Sequence, residues 1–289
     1  MLSAKQFSVG VFIDRKKAFD LIDHEILIYK LPKYGLWGTV SNWLQSYVYN
    51  GRQYFCVDSV ESSPLKIRSG VAQGSILGPL LFILFVNDIF LVSNICTTIL
   101  FADDTNIFLS GNDPIRLFSD MNHQLEIYFN WFSDNKLVLN FKKSCYIIFG
   151  PKIKTNENLF NNLNISIGDT TLPRNNFTKF LGPIMQGDLK WDEHVNALLS
   201  KMYKVTGIIY KSRCKLNEDI MLMLYYSLFY PYLIYGNIFW GSSYKYLSNK
   251  LSISQKRFLR MCLFMKRSDH TAPIYIKHKI LNIEQLNIF

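Results

Sequence analysis

The sequence lacks paired cysteines, a signal-peptide pattern in its first residues and a long uninterrupted apolar run. Cys56, Cys96, Cys145, Cys214 and Cys262 are scattered with no CxxC pair. That excludes a disulfide framework and a cysteine zinc site, and it fits a reducing compartment. Met1–Gly10 carries no signal-peptide pattern. The most apolar stretch, Ile76–Val92, is interrupted by Asn87 and Asp88. It falls short of the ~18 apolar residues that read as a membrane span, so a core helix is expected there. No internal repeat is present. Charged residues are few, 19% against 49% apolar, which is a globular composition.

Charge of one sign is also short in the last third. Residues 193–289 hold 14 Lys and Arg against 5 Asp and Glu, whereas residues 1–192 hold 18 against 17. Nearly all of the net charge of +10 is therefore C-terminal. Such asymmetry suits a polyanionic partner or a solvated basic helical surface.

Phe7–Ile13 reads as a short strand ending at Asp14, with a helix expected behind it on Phe19, Ile22, Ile26 and Tyr29. A carboxylate at such a strand end stands where open sheets place ligand chemistry. Pro32 and Gly35 should end that helix. Val40, Trp43, Leu44, Tyr47 and Val48 mark one face of a second helix, and 53–58 and 65–68 read as strands. Gly70, Gly74 and Gly78 give a turning loop ahead of an apolar helix over 80–92, with Pro79 in its first turn. Residues 97–109 read as strand, tight turn, strand, with Asp103 and Asp104 at the tip. Taken alone, a solvated Asp-Asp turn explains the pair.

Asp113-Pro114 reads as an N-cap with proline at N1, opening a helix with Leu117, Met121, Leu125, Tyr128 and Phe132 inward. Two short strands are expected over 137–149, a hairpin over 165–172, and a strand over 177–184 broken by Gly182-Pro183. From Asp192 the pattern is helical, with a stripe of Val195, Leu198, Met202, Val205 and Ile209. Asn217 caps a helix expected to stop at Pro231, and a later basic helix is expected over 247–266. The composition shift sets a domain boundary at 192, giving domains 1–192 and 193–289.

If strand 7–13 lies beside the hairpin, Asp14, Asp103 and Asp104 converge. Hard carboxylate oxygens suit Mg²⁺. Two such ions ~3.5–4 Å apart can activate a 3′-hydroxyl and stabilise a leaving pyrophosphate.

The order of these pieces resembles the reverse transcriptase palm of non-LTR retrotransposons of the jockey-like type. Phe12-Ile13-Asp14 through Phe19-Asp20, with Asp23-His24, resembles motif A. Ser69-Gly70-Val71-Ala72-Gln73-Gly74-Ser75 with Leu77-Gly78-Pro79 resembles motif B, and Phe101-Ala102-Asp103-Asp104 motif C. Asn140 with Lys143-Ser144 resembles motif D, and Lys179-Phe180-Leu181-Gly182 motif E. The tail, with Tyr235-Gly236, Trp240-Gly241 and Gln255-Lys256-Arg257, is similar to the family's region after the palm. Ala72 stands where motif B has proline, Pro183 where motif E has a branched aliphatic residue, and Pro32 interrupts a helix.

The resemblance implies an α+β fold: a polymerase palm, an antiparallel sheet with flanking helices, followed by a helical thumb and C-terminal region. It implies RNA-directed DNA polymerase activity with two Mg²⁺ ions, or Mn²⁺ in their place, and as partners an RNA template, a DNA primer and deoxynucleoside triphosphates. Asp14 and Asp103 would hold the metals with Asp104 supporting. Phe19 would be the steric gate, and Gln73 and Gly74 would line the nucleotide. Lys143 would neutralise pyrophosphate, and Leu181 and Gly182 would form the primer grip. Lys256, Arg257 and Arg260 would meet nucleic acid. The resemblance also implies a nuclear or cytoplasmic ribonucleoprotein without a membrane anchor.

Motif A begins almost at Met1, ahead of which the family carries fingers. A truncated copy is therefore expected, with fingers missing or on a partner chain, and Arg15, Lys16 and Lys17 as the nearest cations for a triphosphate. The alternative is an inactive nucleic-acid-binding remnant.

Overall fold

The computed structural model describes residues 6–150, 153, 157–241 and 244–287. The chain forms two compact units, Met1–Asn176 and Phe177–Phe289.

In the first unit, β1 (Phe7–Ile13) leads through turns to α1 (His24–Lys30) and α2 (Gly38–Tyr49). Four two-residue strands follow: β2 (Arg52–Gln53), β3 (Cys56–Val57), β4 (Val60–Glu61) and β5 (Leu65–Lys66). Then come α3 (Leu77–Val86), β6 (Thr97–Phe101), β7 (Asp104–Gly111), α4 (Pro114–Asp134), β8 (Cys145–Phe149), α5 (Glu157–Asn161), β9 (Ser166–Ile167) and β10 (Thr170–Thr171). The main sheet has the order β6-β7-β1-β8, and each neighbouring pair is antiparallel. Central β1 is buried along nearly its whole length. Gly10 makes this possible, since a Cβ there would meet Phe108 at 2.7 Å and Phe149 at 2.9 Å. α4 brings Leu117, Met121, Leu125, Tyr128 and Phe132 into the core that holds Val9, Val11 and Ile107. Asp113 caps α4 by accepting from the Ile115 N–H, with Pro114 at N1, as the sequence implies.

The helix expected directly after Asp14 starts only at His24. Asp23 is its N-cap, accepting from the Glu25 and Ile26 N–H groups at 3.0 Å, and this fixes the helix start downstream of Phe19. Lys17, at φ +47°, belongs to the preceding turns. Pro32 and Gly35 end the segment as expected, in a short 3₁₀ turn closed by Gly35 at φ +79°. On α2 only Leu44 and Val48 are buried; Val40 and Trp43 face solvent. Residues 137–139 form no strand and pair only through the bridge of Leu139 to Arg15.

The second unit opens with the hairpin β11 (Phe177–Lys179) and β12 (Ile184–Gln186). α6 (Asp192–Ser212), α7 (Glu218–Leu224), α8 (Tyr230–Ile234), α9 (Asn237–Trp240), α10 (Lys245–Cys262), α11 (Ala272–Lys277) and α12 (Ile283–Leu286) follow. Gly182-Pro183 is thus a reverse turn between two paired strands and not an interruption of one. The hairpin goes with the helices because Gln186 accepts from the Glu193 N–H at 2.9 Å and His194 from the Ile184 N–H at 3.2 Å. The division therefore falls before Phe177 and not at 192. Pro231 does not stop its helix: a π-helical turn over Tyr225–Phe229 absorbs the missing N–H, and α8 continues through the proline. Val195, Leu198, Met202 and Ile209 of α6 share a core with Leu247, Leu251, Phe258 and Leu259 of α10.

Among the described residues, no helix is long and apolar enough to cross a membrane.

Candidate active site

The antiparallel register decides where the carboxylates stand. Ile13 of β1 pairs with Thr105 of β7, so Asp14 and Asp104 lie one step further on, at the same end of the sheet. Phe101 pairs with Asp104, leaving Ala102 and Asp103 as the hairpin tip. Ala102 takes φ +49°, a conformation that costs a non-glycine residue energy and needs support.

Arg15 supplies that support. Its Nε donates to the Asp103 carbonyl at 3.0 Å and its Nη2 to the Ala102 carbonyl at 2.8 Å. The guanidinium lies 5.0 Å from the centre of the Phe82 ring. Arg15 is only 3% exposed, and burial pulls its pKa down to about 10 against the opposing pull of Asp103 and Asp104. It remains a cation at neutral pH. Arg15 is therefore turned into the fold, and of the three neighbouring cations only Lys16 and Lys17 face solvent.

Asn140 holds Asp14. Its N–H donates to the Asp14 carbonyl at 2.8 Å and its Nδ2 to the Asp14 carboxylate at 2.7 Å. The Asp14 N–H donates to Ser144 Oγ at 3.1 Å. The Asp104 carboxyl is held above its ordinary pKa, first by partial burial and then by the charges of Asp103 and Asp14, with Arg15 opposing. Asp104 thus feels both other carboxylates. Even so, among the described residues no group of three or more His, Cys, Asp or Glu side chains stands at metal-holding spacing. Like charges at one sheet end repel, and Asn140 draws the Asp14 carboxylate to its own amide. The donor chemistry still suits a hard divalent ion, being carboxylate oxygens at an exposed turn.

The glycine loop is laced to the turns after Asp14. The Val71 N–H donates to the Phe19 carbonyl at 2.9 Å and the Gly70 N–H to the Ile22 carbonyl at 2.8 Å. Gly70, at φ +84°, could carry no side chain, because a Cβ would meet the Asp20 backbone at 2.8 Å. Gln73 donates to Asp20 Oδ1 at 2.9 Å. Gly74, at φ +83°, faces open space. Half-buried Phe19 stacks on Phe82 at 4.5 Å between ring centres, the ring that also receives Arg15. Lys143 is exposed on the turn that Asn140 opens.

In the second unit, Leu181 and Gly182 form the hairpin turn at φ +49° and +109°. Tyr235 donates its hydroxyl to the Leu181 carbonyl, and its ring lies where a Gly182 Cβ would be. On α10, Arg257 is exposed while Lys256 and Arg260 are half-buried. Arg260 Nε donates to the Asp269 carbonyl at 2.9 Å.

Sequence reasoning missed the inward turn of Arg15 and the Asn140 grip. A basic residue directly after a strand-end carboxylate was the available signal for the first; Asn140 carried none beyond the motif it resembles.

The chain is similar to the RNA-directed DNA polymerase from mobile element jockey of Drosophila melanogaster, 25% identical over 270 residues, 89% of this chain and 28% of the relative. The probable RNA-directed DNA polymerase from transposon BS of the same organism is 26% identical over 96% of this chain and 31% of the relative. The chain thus spans about a third or less of the curated relatives it matches. A solved telomerase from Candida albicans aligns over 96% of this chain and 50% of its own, with TM-score 0.45 and 12% identity. Reverse transcriptases as a family use divalent metal ions. The sequence pattern of the family described as reverse transcriptase (RNA-dependent DNA polymerase) matches residues 2–185, and the chain belongs to that family.

Proposed function

We propose that this chain is the polymerase portion of a retrotransposon enzyme that copies an RNA template by adding deoxynucleotides to a DNA primer. The first unit is its palm; the second, helical and basic, is its thumb and C-terminal region. The observation that carries this reading is the register that sets Asp14 opposite the Asp103-Asp104 hairpin tip.

Asp14 and Asp103 hold the metal ions, Mg²⁺ or Mn²⁺, and Asp104 completes the negative site. What two such ions would supply is charge neutralisation on the triphosphate and a more acidic primer 3′-hydroxyl. Arg15 keeps the tip rigid, which matters because phosphoryl transfer depends chiefly on positioning and electrostatics. Phe19, braced on Phe82, closes the floor of the sugar site and excludes a 2′-hydroxyl. Gln73, oriented by Asp20, and Gly74 line the nucleotide, since open space at Gly74 lets a ligand approach the backbone. Lys143, exposed on its turn, neutralises the departing pyrophosphate. The Leu181-Gly182 turn grips the primer, and Lys256, Arg257 and Arg260 meet nucleic-acid phosphates.

The test is primer extension on an RNA template with Mg²⁺ and deoxynucleotides, comparing the chain with Asp103→Asn. Extension that the substitution abolishes, with the circular dichroism melt preserved, supports the reading. Extension that survives Asp103→Asn counts against metal binding there. Tight template–primer binding without extension favours an inactive nucleic-acid-binding remnant.

A further inference from the structure

Two of the cations assigned above to nucleic acid share an enclosure in the second unit. Lys256 and Arg260 lie one turn apart on α10 and line a cleft of about 910 Å³ whose other wall comes from residues 268–285, α11 included. Lys279 lines the same cleft from that far wall, while exposed Arg257 is not among its lining residues. Three cations from two chain segments therefore face one space. The carboxylates facing it are Asp269 and Glu284. Three cations against these two carboxylates leave the lining net positive, and Asp269 is held in place by accepting from the Lys266 N–H at 2.8 Å. His270 also lines the cleft.

The walls are not uniformly polar. Ile276 is 80% exposed at the cleft, and Tyr275 lines it from a half-buried position, packed on the core with its hydroxyl donating to Gln255 at 3.2 Å. Gln255 is fully buried and also donates to Tyr225 and to the Leu281 carbonyl at 2.9 Å. This network ties α10 to the segment carrying Tyr275 and Leu281, so the two walls are held at a fixed separation.

We infer that this cleft binds a short stretch of single-stranded polynucleotide. Cationic side chains on both walls meet backbone phosphates, and the Tyr275–Ile276 surface receives unstacked bases. Cations combined with an aromatic and apolar surface are what single-strand sites use. Its volume of about 910 Å³ lies within the ~300–1,000 Å³ range of ligand clefts, room for a short stretch of one strand. The inference rests on reading the basic unit as nucleic-acid-binding, and it narrows that reading to one strand in one cleft.

The experiment measures binding of the full chain to a fluorescein-labelled single-stranded RNA, the same sequence as DNA, and the corresponding duplex, by fluorescence anisotropy across a KCl series. One variant carries Lys256→Gln with Lys279→Asn; asparagine tolerates the φ of +51° at position 279. The comparison variant carries Lys245→Gln with Lys250→Gln, which remove equal charge from exposed positions of α10 outside the cleft. The cleft variant should lose about tenfold in single-strand affinity. Its slope of log K against log salt should fall by about 1.4, ~0.7 for each phosphate that is no longer neutralised. The comparison variant should change by less than threefold. RNA and DNA strands losing affinity together identify the backbone as the ligand; loss for RNA alone identifies the 2′-hydroxyl as part of it.

Equal losses in both variants, or a duplex bound as tightly and with the same sensitivity, would overturn the cleft while leaving a general basic surface standing. Absence of any binding by the unsubstituted chain would overturn the nucleic-acid reading itself. If the cleft variant folds poorly, acetylation of the unsubstituted chain decides the matter. Bound RNA should shield Lys256 and Lys279 but leave Lys245 and Lys250 reactive, and equal reactivity at all four would refute the cleft.

Discussion

Asn140 grips Asp14 at two points, the main-chain carbonyl and the carboxylate, at 2.8 and 2.7 Å. The amide thus fixes the orientation of the carboxylate by holding Oδ2. Partners that orient a metal ligand are worth ~10–100-fold in metal affinity. Asn140→Ala should therefore weaken Mg²⁺ binding at least tenfold, read by displacement of luminescent Tb³⁺, with little change in the thermal midpoint. Unchanged Mg²⁺ affinity would show that the carboxylate finds its place without the amide.

Arg15 bears on stability more than on ligand charge. It satisfies two tip carbonyls and holds Ala102 in a left-handed conformation. Arg15→Met keeps much of the packing on Phe82 but leaves both carbonyls without their donor. The cost should be about 2–4 kcal/mol in urea unfolding. Ala102→Gly in the Arg15→Met background should recover part of that loss, because glycine accepts positive φ without strain. No recovery would mean that the tip is not strained.

Asp104 trades stability for charge density. Its folded pKa is raised above the ordinary 3.8 by burial and by its two acidic neighbours. In the window between the ordinary and the raised value, the folded state binds more protons than the unfolded one. Stability therefore falls as pH rises through that window. Asp104→Asn should raise the thermal midpoint at pH 7 and lose that advantage below the ordinary carboxylate pKa. Addition of Mg²⁺ should stabilise the unsubstituted chain more than the variant. A variant with the same midpoint at both pH values would refute the coupling.

Much of this site is legible in the sequence because its signals are local. Apolar runs either side of Asp103-Asp104 give a hairpin, and Asp113-Pro114 and Asn217 are caps whose partners lie within three residues. What could not be read depends on distant partners. Arg15 looks like Lys16 and Lys17 until two carbonyls 87 and 88 residues along the chain claim its guanidinium. Phe19 has helical spacing to Ile22, Ile26 and Tyr29, yet the Asp23 cap and the Val71 N–H hold it in a turn. Pro231 normally stops a helix, and only the π turn before it lets the chain continue.

His194 links the motif E hairpin to pH. Its Nδ1 accepts from the Ile184 N–H at 3.2 Å, so its proton sits on Nε2, which is buried without a hydrogen-bond partner among the described residues. The ring lies 6.1 Å from Trp191 and 5.7 Å from Trp240, centre to centre. Burial, and next the charge of Lys201, push its pKa down to about 4 from the ordinary 6.5. A base with a depressed folded pKa contributes stability that is fully present above the unfolded value and is lost as pH falls through the folded one. Between pH 6.5 and about 4, the unfolded chain gains a proton that the folded chain resists. Protonation would also place a hydrogen on Nδ1, facing the Ile184 N–H, and so break the bond that seats β12 on α6. The thermal midpoint should accordingly drop on acidification through this window, and the Ile184 amide should lose hydrogen-exchange protection relative to Ile209 in the core of α6. His194→Gln keeps an acceptor but cannot take the proton. It should melt lower at pH 7.5, because the amide fills the space between the two tryptophans less well, yet show a shallower dependence of the midpoint on pH. If both proteins give the same slope from pH 7 to 4, other groups govern acid stability and His194 is only a packing residue.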